Sequence, residues 1–197
     1  KAFFTATYQE NEKEPIKIRN YTQTLHFCFI GSLTPGKRPL KAIQLVQELQ
    51  QKDIDAILHI YGDGIEREAL SDYIKLHQLT DTVLLYGNQP KEKIKKDIQH
   101  IHFLILPSKS EGWPKVVAEA MFWGCIPIVP RISCVPWMLG QGKRGVLMDE
   151  QNVEATARYV KDLLNQPDKL ETMAHKAADW SQQYTLDTFE EEIKKLI

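Results

Sequence analysis

A chain of 197 residues, 43% hydrophobic and 26% charged, is large enough for one well-buried core and has the composition of a soluble globular protein. Its formal net charge of -1 gives no reason to expect nucleic acid as a partner, and no apolar run approaches the roughly 20 residues that a helical membrane span needs. Cys28, Cys125 and Cys134 are odd in number and lack metal-type spacing, and no charged-then-apolar signal segment opens the chain, so reduced thiols and a cytoplasmic location are expected.

Residues 1–24 are mostly polar, with Gln-Glu-Asn-Glu-Lys-Glu-Pro at Gln9 to Pro15, and read as a tail or connector with little core of its own. From residue 25 to residue 184, short apolar runs alternate with helical periodicities. Strands are expected at Leu25–Ile30, Ala56–Tyr61, Val83–Tyr86, Phe103–Leu106, Ile126–Val129 and Val146–Met148. Helices are expected between them at Leu40–Gln51, Glu66–His77, Lys91–Gln99 and Lys115–Trp123, and after them near Val153–Asn165 and Asp168–Gln183. Residues 185–197 form a last helix, with an apolar stripe of Leu186, Phe189, Ile193 and Leu196. Buried, non-alternating strands separated by helices point to an α/β fold, a Rossmann-like doubly wound parallel sheet covered on both faces.

Such sheets bind ligands in the crevice beyond the C-terminal ends of their strands. The polar motifs fall there. Gly31 to Arg38 follows the first strand, Gly62-Asp-Gly64 the second, Gly87-Asn88 the third, and Pro107 to Gly112 the fourth. Gly31 to Lys37 matches the G-x-x-x-x-G-K start of a P-loop, but Arg38 stands where a P-loop has the hydroxyl that ligates Mg²⁺. Lys37 and Arg38 suit a diphosphate, with a solvated basic turn as the other reading of Arg38. Glu111 and Glu119 flank a Gly-Trp-Pro turn whose Pro114 is expected to open a helix. Glu119 then shares a side with Val116, Phe122 and Trp123, so it either finds hydroxyl-rich ligand partners or turns to water. The histidines lack metal-type pairing, and Lys91–Lys96 reads as a solvated helix face, with a peripheral contact at the inner face of an acidic membrane as its alternative.

Together these residues resemble the C-terminal, donor-binding half of a retaining GT-B glycosyltransferase of family 4 (glycosyl transferases group 1), from about Phe27 to Tyr184. The resemblance is carried by Pro107-Ser-x-x-Glu-Gly-Trp-Pro-x-Val-Val-x-Glu-Ala-Met121, by Gly124-Cys-Ile-Pro127, and by the glycines and Lys37 above. It implies a nucleotide-diphosphate sugar as donor, a glycan or lipid-linked acceptor, and a missing N-terminal GT-B domain without which the piece transfers little or nothing. It implies that Lys37 contacts the diphosphate, Glu111 the sugar hydroxyls, Gly112 the sugar or phosphate through its amide, and Glu119 the ribose. Lys37 and Glu111 would be the catalytic pair. Gly31, Arg38 and Gly62 would line the donor site, and Gly87 would lie beside the base. Neither cofactor nor metal is implied. Two departures stand out: Ser32 replaces an Arg usual beside the first Gly, and Ser133-Cys-Val-Pro-Trp137 replaces a Gly-Gly-x-Pro-Glu donor loop. A nucleotide-binding module without transfer activity and a P-loop-type NTPase are the alternatives.

Overall fold

The computed structural model describes residues 6–17, 19–149 and 151–195. Strands β1 (Leu25–Ile30), β2 (Ala56–Tyr61), β3 (Val83–Gly87), β4 (Phe103–Ile105), β5 (Ile126–Pro130) and β6 (Val146–Met148) pair in parallel in the order β3-β2-β1-β4-β5-β6. This is the doubly wound Rossmann order expected from the alternation of elements. Phe27, Cys28 and Phe29 are successive residues of β1 and all are buried, because the central strand is covered on both faces. Phe27 stacks on Phe103 of β4 with ring centroids 5.1 Å apart.

Right-handed crossovers sort the helices onto two faces. Helices α1 (Pro39–Gln50) and α2 (Arg67–Leu76) connect β1 to β2 and β2 to β3 on one face. Helices α3 (Lys91–Ile98), α4 (Lys115–Phe122) and the short α5 (Val135–Met138) make the connections on the other. Helix α6 (Val153–Leu164) packs against α1, and α7 (Pro167–Ser181) against α4. Helix α8 (Leu186–Lys194) starts at Thr185, whose hydroxyl accepts from the Thr188 amide at 3.2 Å. Its expected apolar stripe is half-buried at Leu186, Phe189 and Ile193, while Leu196 lies outside the described residues.

The N-terminal connector departs from the sequence expectation. Residues 1–5 lie outside the described residues, but the stretch that follows is seated on the domain through specific contacts. Tyr8 packs on Phe122 and Trp123, with centroids at 4.8 and 5.4 Å. Arg19 is only 9% exposed. Its guanidinium donates to the carbonyls of Trp123 at 2.7 Å, Gly124 at 2.9 Å, and Ile98 and Gln99 at 3.4 Å. The cause is the helix ends: α3 and α4 both finish there with carbonyls that lack intrahelical donors, and a forked cation satisfies several at once. The connector also binds α8, since Leu186 N donates to Tyr8 O at 2.9 Å and Glu10 N to Asp187 Oδ2 at 2.6 Å.

Candidate functional site

Strands β1 and β4 are neighbours in the sheet, yet their outgoing helices leave toward opposite faces. That divergence opens the crevice in which sheets of this class hold ligands. The loops bearing Lys37 and Glu111 are the two that border it. A backbone bond from Lys109 N to Gly36 O, 2.8 Å long, ties them together. Across this tie Lys37 Nζ lies 2.5 Å from Glu111 Oε1, with the lysine side chain 31% exposed and the carboxylate side chain 9% exposed. Two groups separated by more than seventy positions in sequence are thus brought into one charge-assisted pair.

The glycines of the rim are explained first by backbone packing. Gly31 N donates to Tyr61 O at 3.0 Å and Gly62 N to Gly87 O at 2.8 Å, so successive strand ends are stitched together. A Cβ on Gly62 would sit 1.8 Å from Gly31 O, which excludes any side chain there. Gly112 differs: nothing lies within 4 Å of where its Cβ would be, and its carbonyl accepts the Cys134 thiol at 3.2 Å. Burial pushes that thiol's pKa up, and the charge of Glu111 adds to the effect. The Ser133–Trp137 segment therefore closes on the Glu111–Gly112 turn.

Arg38 adopts a left-handed conformation (φ 52) just before α1, and its Nε is buried. The residue as a whole is half-buried, between the solvated-turn and ligand-contact readings. The P-loop alternative meets amides that are already engaged. Leu33 N donates to Asp63 O in the loop after β2, while Thr34 N donates to Ser32 O and both Lys37 N and Arg38 N donate to Thr34 O, so four of the donors a P-loop would offer to phosphate are held in backbone bonds.

Glu119 stands on α4 and is engaged by a different partner. Pro114 caps α4 instead of beginning it, and Glu119 sits in the helix beyond its first turn. Its Oε1 accepts from Thr7 Oγ1 at 2.7 Å. The recess around it has a volume of about 10 Å³ and is lined by Thr7, Tyr8, Trp113, Phe122 and Tyr184 among others. The hydrophobic side of α4 did need a polar partner for this carboxylate, and the connector supplies it.

Sequence reasoning missed an aromatic group beside the Gly112 turn. Trp180 of α7 lies 6.3 Å from Trp113 and 5.3 Å from Trp137, with the Arg144 guanidinium 4.6 Å from its ring centroid. The altered Ser133–Trp137 segment was its one visible trace. Elsewhere, Lys93 bonds Asp97 at 2.6 Å and Lys95 pairs with Glu12, so part of the expected solvated basic face is occupied. Among the described residues no cluster of three or more His, Cys, Asp or Glu is placed to hold a metal ion. A hollow of about 940 Å³ opens at the opposite end of the strands, beside Asn20, Thr22, His26 and Asp55. Volume alone does not outweigh the switch point, where strand-end loops and paired charges meet.

The chain matches the family described as Glycosyl transferases group 1 over residues 10–180. It is 32% identical over 110 residues to the lipopolysaccharide 1,6-galactosyltransferase of Escherichia coli strain K12, an overlap covering 54% of this chain and 30% of that protein. The pneumococcal O-GlcNAc transferase GtfA, solved in complex with UDP and GlcNAc, superposes with a TM-score of 0.77 at 21% identity, covering 92% of this chain and 37% of that one. The C-terminal domain of the group 1 protein LpcC from Francisella tularensis superposes with a TM-score of 0.75 at 15% identity, covering 91% of this chain and 100% of the other. At these identities the superpositions establish a common fold, that of the C-terminal half of a GT-B architecture. The chain spans 30% to 44% of the length of the first curated relatives it matches.

Proposed function

The chain belongs to the glycosyl transferases group 1 family, and on that premise we propose that it is the donor-binding domain of a retaining, metal-independent glycosyltransferase of family 4. Its donor is a nucleoside-diphosphate sugar, and its acceptor a glycan or lipid-linked saccharide held mainly by a further, N-terminal domain. The observation that carries this reading is the Lys37–Glu111 pair at the switch point, 2.5 Å apart. An ammonium and a carboxylate are what the two ends of a sugar diphosphate require, and without ligand they satisfy each other.

Donor binding redistributes these bonds. Lys37 turns to the phosphate oxygens and Glu111 accepts from sugar hydroxyls. As the glycosidic bond breaks, the diphosphate gains negative charge, so the ammonium of Lys37 acts most strongly in the transition state. The open space at Gly112, at the start of α4, lets the diphosphate approach the positive end of that helix. The names of relatives, a lipopolysaccharide galactosyltransferase and a putative colanic acid biosynthesis glycosyltransferase, support polysaccharide or lipopolysaccharide assembly as the setting.

Titration with UDP, GDP and ADP, with and without Mg²⁺, tests the reading. At least one should bind, equally well in either condition, and Lys37→Met should weaken it by roughly 1.5–3 kcal/mol, the range for a hydrogen bond to a charged group. Binding of none of them refutes the proposal. A second reading is favoured by Ser32, which leaves the phosphate site one cation short: a nucleotide-binding module without transfer. Sugar transfer by a chain carrying the N-terminal domain would exclude it.

A further inference from the structure

We propose that residues 6–8 form a strap over Glu119 which competes with the bound nucleotide for that carboxylate. The inference rests on the proposed function together with the role that the resemblance implies for Glu119, contact with the ribose hydroxyls. In the structure that carboxylate is already engaged by an alcohol: Thr7 Oγ1 donates to it at 2.7 Å, the same chemistry a ribose hydroxyl would offer. The surrounding recess, about 10 Å³, has room for no more than about one water, so a furanose cannot enter while the strap is in place. Thr7 must leave for the nucleotide to arrive.

The strap is held by contacts that can be traced outward. Tyr8 lies on Phe122 and Trp123, the aromatic residues that end α4. The Tyr8 carbonyl accepts from Leu186 N at 2.9 Å, at the first residue of α8. Two residues on, Glu10 N donates to Asp187 Oδ2 at 2.6 Å, and the Glu10 carboxylate accepts from Thr185 Oγ1 at 3.1 Å. Thr185 is the residue that caps α8. Lifting Thr7 therefore loosens the connector and the start of α8 together. Nucleotide occupancy is read out at the α7–α8 junction through this short hydrogen-bonded ladder, with no change required in the sheet.

The test uses the full chain and whichever of UDP, GDP or ADP it binds. Thr7→Val keeps the side chain's shape and removes the competing donor. It should bind the nucleotide about threefold to tenfold more tightly, which corresponds to about 0.6–1.4 kcal/mol, the worth of one ordinary hydrogen bond. In the wild-type chain, saturating nucleotide should speed deuterium exchange at the Leu186 and Glu10 amides. Equal or weaker binding by Thr7→Val overturns the strap, as does unchanged exchange at both amides. Glu119→Gln separates the assumptions: wild-type affinity in that variant removes Glu119 from the nucleotide site and the strap with it, while leaving the function standing. If the wild-type chain binds none of the three nucleotides, the function itself fails.

Discussion

Removing the Lys37 ammonium should destabilise the fold even without ligand, and the size of the effect follows from the geometry. At 2.5 Å and an effective dielectric of about 20, the gross attraction between Lys37 and Glu111 is roughly 7 kcal/mol. Desolvation of the carboxylate, whose side chain is 9% exposed, offsets much of this. The 31% exposure of the lysine side chain screens part of the remainder. A net coupling of about 1–3 kcal/mol is left. Urea unfolding of the wild type, Lys37→Met, Glu111→Gln and the double variant measures it directly. Lys37→Met should cost the most, because it leaves a buried carboxylate without its cation. The double variant should lose less than the sum of the two singles. Additivity within about 0.5 kcal/mol would show that the pair is only a surface coincidence and would remove the structural basis for a preorganised donor site.

Arg19→Met should lower stability by about 3 kcal/mol or more, since the carbonyls of Gln99, Trp123 and Gly124 lose the guanidinium donor in a site only 9% exposed, while Ile98 O keeps the Ile101 amide. An unchanged urea midpoint would mean that the connector is not part of the folded unit. Acid should also destabilise the protein above the range of carboxylate titration. Burial holds His59 and His102 at pKa values of about 4, below the ordinary 6.5. The unfolded chain therefore binds more protons between those values, and stability falls as pH drops from about 6.5 to 4. Urea midpoints across that window should decline, and the decline should shrink in His102→Gln. A flat profile would refute the assignment.

The strands were legible because each is a short apolar run bounded by polar loops, and β1, β2 and β6 coincide with the expected spans. Helix ends shifted by only a residue or two where periodicity met a cap, as at Pro39 and Pro167. That the Lys37 and Glu111 loops leave the C-terminal ends of strands was also legible, since it depends only on strand boundaries, whereas their adjacency at the switch point needed the strand order. What composition concealed was long-range. Arg19, Tyr8 and Thr7 sit in a stretch whose local character is that of a solvated tail, and their partners lie about a hundred positions away at the end of α4. The tryptophans at 113, 137 and 180 come from three different segments and meet only in the folded chain. The sequence registered the odd Ser133–Trp137 segment without revealing what it joins.

The mutual bonding of Gly31, Gly62, Gly87, Gly36 and Lys109 leaves the crevice's edge little freedom to vary in length. An insertion in any of those turns would orphan a donor or acceptor in its neighbour. Side-chain exchange is the change this frame accepts, and Ser32 and Cys134 occupy positions where such an exchange disturbs none of those ties.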